Sequence, residues 1–279
     1  MEQKPIKQLL EFSLINIDKP SGPTSFQVSQ YLKHSLKLAK TSHLGTLDPQ
    51  VSGVLPITLG RACRLSDVFM HKNKTYIGIM RLHKEITQEE LKKAIKKFIG
   101  KINQLPPVRS RVKRQVRERE VVSFDVLEIN GKDVLFKTEV QAGTYIRKLC
   151  DDIGKELNIG AHMLELRRTQ AGIFNEESIY TLYDLDNAIT ELNKGNEKPL
   201  RKMLIPAEEA IKQVLPILQT TQNSIKKLLT GKPLMKSDIE TFLPKEETFA
   251  LFNKEQFIGI YKKSNNEGDI IARALFVFN

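Results

Sequence analysis

The chain has 279 residues, which is enough for one large domain and a second, small one. Its 44 lysines and arginines exceed its 33 aspartates and glutamates, and the net charge of +11 favours an anionic partner such as RNA over a small neutral ligand. No apolar run approaches the roughly 18 residues of a membrane span, and the two distant cysteines form no disulfide or metal motif, so we expect a cytoplasmic protein without membrane contact.

Strands, tight loops and helices alternate in the first eighty residues. Residues 12–17 predict a strand, and Ser25 is a suitable cap for the helix that follows. Residues 46–49 predict a loop, residues 61–71 predict a helix, and the alternation at residues 76–80 predicts a strand. Both element types are therefore expected from the start of the chain.

A further helix is predicted to begin after Thr87. Thr87 and Glu90 form a capping box, apolar residues follow at helical spacing, and Gly100 is expected to end the helix. Two strands at residues 121–129 and 134–140 flank an Asn-Gly pair, which predicts a hairpin.

The rest of the chain divides into two parts. Residues 144–157 predict a helix and residues 162–169 a strand, so the mixture of helices and hairpins favours an α+β domain with a mixed or antiparallel sheet over residues 1–210. A small β-rich domain is expected over residues 211–279, with short strands at residues 248–252, 256–261 and 270–278.

Positive charge is concentrated between Lys101 and Arg119. This stretch contains seven basic residues and a single acidic one, Glu118. Such a stripe predicts a track for RNA phosphates, with Arg111, Lys113 and Arg114 as RNA-binding residues. The alternative is that these side chains face solvent or pair with acidic groups of the protein itself.

Asp48 lies in the segment HLGTLDP at residues 43–49, between a glycine turn and a proline. Taken alone, an aspartate before proline indicates an Asx turn. Three further segments change that interpretation, namely KPSGPTS at residues 19–25, KTY at residues 74–76 and GTYIR at residues 143–147. In this order and spacing, the four segments resemble the TruB family of pseudouridine synthases.

A second set of segments is similar to the archaeal and eukaryotic dyskerin-type branch of that family. These are RLHKE at residues 81–85, LPPVRS at residues 105–110, VKR at residues 112–114 and GAHMLELRRT at residues 160–169. The branch supplies the catalytic subunit of box H/ACA ribonucleoproteins. The resemblance implies an α+β pseudouridine synthase fold followed by a PUA-like RNA-binding domain.

Three catalytic residues are implied by the resemblance. Asp48 matches the family's catalytic aspartate, and Arg147 matches the arginine that pairs with it. A guanidinium bound at both carboxylate oxygens would hold that carboxylate ionised in a desolvated pocket. Tyr76 matches the tyrosine that stacks on the target base and takes up the C5 proton. Asp48 could attack C1′ covalently or remove a proton at C2′ to give a glycal, and both routes stay open.

Three binding residues are also implied. His43 matches the histidine that contacts RNA where the target nucleotide leaves the stack, since a uridine inside folded RNA must be extruded before it can react. Leu166 matches the apolar residue that lines the uracil pocket. Lys19 and the loop after it are expected to brace the Asp48 loop, which is a structural role.

The implied function is RNA-guided isomerisation of uridine to pseudouridine in rRNA, together with a guide RNA and box H/ACA accessory proteins. The alternative is a stand-alone enzyme that modifies the T-loop uridine of tRNA. A second alternative, a non-catalytic RNA-binding scaffold, would be compatible with the charge alone. The chemistry needs no cofactor, and the five scattered histidines contain no pair at helical ligand spacing, so no metal is expected.

Overall fold

Two β-sheets organise the chain in the computed structural model, which describes residues 4–106 and 113–279, except for the side chains of residues 265–267. The large sheet contains β1 (Ser13–Lys19), β2 (Thr41–His43), β3 (Ser52–Leu59), β4 (Lys74–Leu82), β5 (Gly100–Gln104), β6 (Arg117–Asn130), β7 (Asp133–Val140), β8 (Ala161–Ala171), β9 (Phe174–Asn175) and β10 (Ile205–Pro206). The small sheet contains β11 (Ile217–Gln219), β12 (Leu234–Met235), β13 (Thr248–Asn253), β14 (Gln256–Glu267) and β15 (Ile270–Val277).

Helices cover the sheets and connect their strands. They are α1 (Ile6–Glu11), α2 (Ser25–Ser35), α3 (Ser66–Met70), α4 (Gln88–Lys96), α5 (Ile146–Glu156), α6 (Leu182–Asn193), α7 (Lys198–Met203), α8 (Ala207–Lys212) and α9 (Ile225–Leu229). A short 3₁₀ helix, Gly60–Leu65, leads into α3, so the helix predicted over residues 61–71 is divided in two. Within the described parts of the chain, no helix is long and apolar enough to cross a membrane.

The large sheet is mixed. Its strand order is β10-β1-β3-β8-β4-β7-β6-β5, with β2 added on β3 and β9 on β8. The pair β3–β8 is parallel, and the other pairs are antiparallel. The predicted α+β architecture with a mixed sheet is therefore confirmed. The small sheet is also mixed, because β11 pairs with β13 in parallel.

The central strand β3 has no counterpart among the predicted elements. Its continuous apolar run is typical of a strand that is buried on both faces, but Pro56 in its middle argues against a central strand, since proline cannot donate to a ladder. In the structure, Pro56 pairs with Asn16 of β1, and its carbonyl oxygen accepts a hydrogen bond from the backbone of Leu44 at 2.9 Å. Leu44, the residue after β2, therefore continues the antiparallel pairing of β2 with β3.

Two helix ends differ from the sequence prediction. The cap of α2 is Thr24, which forms the capping box with Gln27, so Ser25 is the first helical residue instead. This change frees the Ser25 hydroxyl for another contact. The helix α4 ends at Lys96, and Gly100, with a φ of +95°, starts β5 rather than ending the helix.

Two of the three apolar clusters of the described residues involve the large sheet. In the first, α4 and α5 pack against the sheet through buried residues such as Leu91, Ile95 and Leu149. The second joins the two sheets, since Phe12 stacks on Phe257 and Phe278 with ring centroids 5.8 and 4.1 Å apart. The small sheet is therefore packed on the large domain through a shared core.

Candidate active site

The loop that carries Asp48 connects β2 to β3 and is held in place by hydrogen bonds on both sides of Asp48. The Ser25 hydroxyl accepts a hydrogen bond from the Leu47 backbone at 2.8 Å and donates one to the Leu47 carbonyl at 3.1 Å. On the other side of Asp48, the Gly22 backbone donates to the carbonyl of Pro49 at 2.8 Å. Both neighbours of Asp48 are thus held by the segment that starts α2.

Lys19 lies beneath the same loop and is fully buried. Its ammonium group donates to the carbonyl oxygens of Pro20, Pro49 and Val51 at 2.8, 2.9 and 2.8 Å. Burial lowers the pKa of Lys19 to about 8, although the charge of Asp48 opposes that shift. Three backbone acceptors around one ammonium group form the bracing arrangement that was expected of Lys19.

Arg147 approaches Asp48 from the first turn of α5. Its Nη1 atom lies 3.5 Å from Oδ2 of Asp48, and the two side chains are 52% and 47% exposed. The expected bidentate pair in a desolvated pocket is therefore not present, because both groups lie on the open surface between the loop and the helix. An ion pair that is this exposed contributes little by itself.

The turn before α5 is fixed by Gln104, which is buried at the end of β5. Its side-chain Oε1 accepts a hydrogen bond from the Tyr145 backbone at 2.9 Å, and its Nε2 donates to the Tyr145 carbonyl at 3.2 Å. One amide thus contacts both backbone groups of Tyr145, whose carbonyl oxygen also accepts a hydrogen bond from the Leu149 backbone at 3.0 Å. Gln104 consequently anchors the backbone two residues before Arg147.

Tyr76 and Leu166 lie on one face of the β4–β8 ladder. A bulge in this ladder places Tyr76 opposite Arg168, and Gly78 lies opposite Leu166. Gly78 leaves room on that face, because a Cβ atom there would lie 2.7 Å from Cδ1 of Leu166. Tyr76 is almost fully buried, whereas Leu166 is partly exposed. The structure therefore brings the predicted stacking and pocket residues onto one surface.

Arg168 connects that surface to the Asp48 loop. It is the largest fully buried side chain of the described residues, and its Nε and Nη2 atoms donate to the carbonyls of Val54 at 2.7 Å and Gly45 at 3.1 Å. Its guanidinium also interacts with the side chain of Tyr76, and burial lowers its pKa from the ordinary arginine value. One side chain therefore contacts both ends of the loop and the predicted base platform.

The other predicted RNA-binding residues lie in several different parts of the structure. His43 is half-buried at the end of β2, where it pairs with Ile57. Lys113 and Arg114 are exposed just before β6, and neither forms an ion pair with another described residue. Arg111 lies outside the described residues. At the start of the stretch, Lys101 pairs with Glu118 at 3.0 Å, as the alternative interpretation proposed for such side chains.

The sequence analysis missed three buried residues of the site, namely Gln104, Lys74 and Arg168. Arg168 is a charged residue at an inward-facing position of the strand predicted at residues 162–169, and this unusual placement could have indicated its role in the site. Its neighbour Arg167 points outward and pairs with Asp18 at 2.9 Å and Glu176 at 2.6 Å.

The structure also brings together two histidines that are far apart in sequence. Nε2 of His83 and Nδ1 of His162 lie 3.0 Å apart at the surface. In the described portion of the chain, however, no group of three or more His, Cys, Asp or Glu residues could hold a metal ion. The pair by itself therefore indicates no metal centre.

Comparisons with known proteins identify the relatives of this chain. Residues 33–146 match the model of the TruB family pseudouridylate synthase N-terminal domain, and residues 147–212 match that of the tRNA pseudouridylate synthase B C-terminal domain. The probable tRNA pseudouridine synthase B of Methanopyrus kandleri is 44% identical over 84% of this chain and 69% of its own length. The corresponding protein of Methanothermobacter thermautotrophicus is 38% identical over 97% of this chain and 85% of its own.

Solved structures extend the similarity to almost the whole chain. A crystal structure of a Cbf5-Nop10-Gar1 complex contains a chain with a TM-score of 0.89 and 37% identity, covering 99% of this chain and 88% of that one. A structure of an H/ACA ribonucleoprotein bound to a substrate RNA containing 2′-deoxyuridine gives a TM-score of 0.88 and 35% identity with the same coverage.

Proposed function

The chain belongs to the TruB family of pseudouridine synthases, and we propose that it isomerises uridine in RNA as the catalytic subunit of a box H/ACA ribonucleoprotein. The observation that carries this proposal is the arrangement of Asp48, Arg147 and Tyr76 around the loop between β2 and β3. Arg147 lies beside Asp48, and Tyr76 is linked through Arg168 to the loop that carries Asp48.

Asp48 is the proposed catalytic residue. Its carboxylate either bonds to C1′ or takes the proton from C2′ to leave a glycal. In both routes the N1–C1′ bond breaks and its electron pair stays on N1, so that uracil separates as an anion. After the ring turns, C5 bonds to C1′, the proton on C5 leaves and N1 takes up a proton. In the covalent route, the bond between Asp48 and C1′ breaks as C5 bonds to C1′, and its electron pair returns to the carboxylate. In the glycal route, the proton taken by Asp48 returns to C2′.

The other site residues support this sequence of steps. We propose that Arg147 holds Asp48 ionised once RNA covers the two half-exposed groups and removes water from them. Tyr76 would stack on the base and accept the C5 proton, while Leu166 lines the pocket. His43 would contact the RNA beside the extruded nucleotide, and Lys19 keeps the Asp48 loop in shape.

A single-turnover assay of pseudouridine formation tests the assignment of Asp48. We expect Asp48→Asn to form no product while RNA affinity stays within a few-fold, because phosphate contacts elsewhere supply the affinity. Asp67→Asn on α3 removes another exposed carboxylate and serves as a matched control with an unchanged rate. An Asp48→Asn rate above a few per cent of wild type would contradict the assignment.

RNA guidance is supported by the matching solved structures, which are complexes with Nop10 and Gar1 and a ribonucleoprotein with substrate RNA. We therefore expect a guide RNA and accessory proteins of these types as partners, with rRNA as the substrate. The second candidate, stand-alone action on the T-loop uridine of tRNA, is favoured by the curated relatives, which are named for tRNA. Incubating the purified protein with a tRNA transcript, with and without guide RNA and accessory proteins, distinguishes the two by the product formed.

We propose that residues 211–279 form a PUA-like RNA-binding domain behind a catalytic domain of residues 1–210. The five-stranded sheet, which begins at β11, supports this boundary. Deleting the ACA trinucleotide of an H/ACA guide RNA would test whether the domain recognises it, since the affinity of the protein for the guide RNA should then fall. A cytoplasmic location stays a prediction, supported by the buried free thiols of Cys63 and Cys150.

A further inference from the structure

Besides Lys19, two positive side chains lie buried under the Asp48 loop without a carboxylate of the described residues within ion-pair distance. The Lys74 and Arg168 side chains belong to neighbouring strands, and both residues are almost completely inaccessible to solvent. Among the described residues, no acidic group lies within ion-pair distance of either one. Burying a charge without a partner of opposite sign is costly, so the arrangement calls for an explanation.

Neutral backbone oxygens satisfy the hydrogen-bonding groups of both cations. The Lys74 ammonium donates to the carbonyls of Met70 and Lys72, just as Arg168 donates to backbone carbonyls of the loop and of β3. A neutral donor of suitable length could make such hydrogen bonds without the cost of a buried charge. Hydrogen bonding alone therefore does not account for the two charges.

Both cations converge on Gly45, three residues before Asp48. A Cβ atom on Gly45 would lie 3.5 Å from Nη1 of Arg168 and 3.8 Å from Cε of Lys74. Arg168 also reaches the Tyr76 side chain, which is the proposed platform for the base. Both positive side chains thus lie next to the start of the Asp48 loop, and Arg168 also lies beside the residue proposed to stack on the base.

We propose that Lys74 and Arg168 form a fixed cationic floor that stabilises the negative charge on uracil when the N1–C1′ bond breaks. This inference rests on the proposed function, because that reaction releases uracil as an anion. Charges held in place by the fold need no reorganisation as the anion develops, and they act strongly in a site from which water is excluded. The two residues act through space behind Tyr76, so they are electrostatic supports and not groups that touch the reacting atoms.

Lys74 makes the proposal testable by pH, because its charge can be titrated. Burial, together with the adjacent charge of Arg168, lowers the pKa of Lys74 to about 8. The ammonium is therefore charged below about pH 8 and becomes neutral above it. The other charged groups around the loop are Lys19, whose pKa is also lowered to about 8, and the surface pair of Asp48 and Arg147.

The central test compares Lys74→Gln with wild type in single-turnover reactions on RNA that is already bound. Gln can still donate to the carbonyls of Met70 and Lys72 but carries no charge. We expect the rate at pH 7 to fall by roughly 30-fold, the effect of one charge several ångströms away at an effective dielectric constant near 20. The ratio of the wild-type rate to the variant rate should then approach one as the pH rises from 7 to 9.5. Titration of Lys19 and of the RNA occurs in both reactions and cancels in this ratio.

Two further variants separate charge from structure. Lys74→Arg keeps the charge at all these pH values, so its rate should stay within a few-fold of wild type at pH 7 and should fall less than the wild-type rate as the pH rises to 9.5. Lys72→Gln removes a charge from the exposed side of the same segment and should leave the rate on bound RNA unchanged. If Lys74→Gln does not fold, the ratio of the wild-type rate to the Lys74→Arg rate still decides the question, because Lys19 titrates in both reactions. A ratio that is the same from pH 7 to pH 9.5 overturns the proposal.

The outcomes separate this inference from the proposed function. Absence of pseudouridine in the wild-type reaction would reject the function itself. A productive wild type together with a folded Lys74→Gln variant of normal rate would reject the cationic floor alone. A slow variant whose rate ratio is the same at every pH would also reject it, because the loss would then come from structure and not from charge.

Discussion

Replacing Gln104 with leucine should slow catalysis without weakening RNA binding. The substitution keeps a similar volume but removes both hydrogen bonds to the backbone of Tyr145, at 2.9 and 3.2 Å. Each such bond contributes a net free energy of about 1 kcal/mol, so the turn before α5 loses about 2 kcal/mol of local stability. A change of that size corresponds to roughly 30-fold in a local equilibrium, which is the upper limit for the loss of rate if Arg147 is displaced.

Steady-state kinetics on the RNA substrate measure this effect. We expect kcat to fall by up to that limit while KM changes little, because the proposed role of Arg147 is to hold Asp48. Asn103→Leu on the exposed side of the same strand is the matched control. A normal kcat in a Gln104→Leu variant with reduced thermal stability would refute the role of Gln104 in positioning Arg147.

Three other substitutions or treatments have defined outcomes. Gly53→Ala should lower the free energy of unfolding by about 3–5 kcal/mol, because its Cβ atom would lie 2.2 Å from the carbonyl oxygen of Arg168 at a φ of +103°; an unchanged denaturation midpoint would contradict this. Replacing Lys113 and Arg114 together with alanine should flatten the dependence of log affinity on log salt by about 0.7–0.9 per lost phosphate contact, and an unchanged slope would mean that they only face solvent. Burial raises the pKa of Cys150 to about 12, so iodoacetamide at pH 8 should modify this thiol in denaturant but not in the folded protein, as followed by mass spectrometry.

The helices and turns that could be predicted from sequence are those that depend on residues close together in the chain. The capping box of Thr87 and Glu90 and the hairpin at the Asn130-Gly131 turn are confirmed, because each depends on residues that are neighbours in the chain. The strand β3 was missed because Pro56 contradicts the local pattern, and only the pairing with β1 and β8 shows where its hydrogen bonds go.

The residues of the candidate site also form two groups, those that local motifs predict and those that they do not. Asp48 and Arg147 could be found from motifs, and the structure brings them within 3.5 Å of each other. The supporting residues could not be found, because their partners are distant in sequence. Gln104 contacts a backbone 41 residues away, and Arg168 contacts carbonyls 114 and 123 residues away. Contacts of this kind depend on strand order, and no local pattern contains that information.

The aromatic contacts between the two sheets determine how the chain unfolds. Phe12 precedes the first strand of the large sheet, yet its ring packs on Phe257, Phe276 and Phe278 of the C-terminal module. Separating the two sheets would expose these rings to water, and each ring has a large apolar surface. The contacts between the sheets therefore stabilise both of them. Calorimetry should show a single cooperative unfolding transition instead of two. Removing the last strand would accordingly destabilise the active-site sheet, although no residue of that strand belongs to the site.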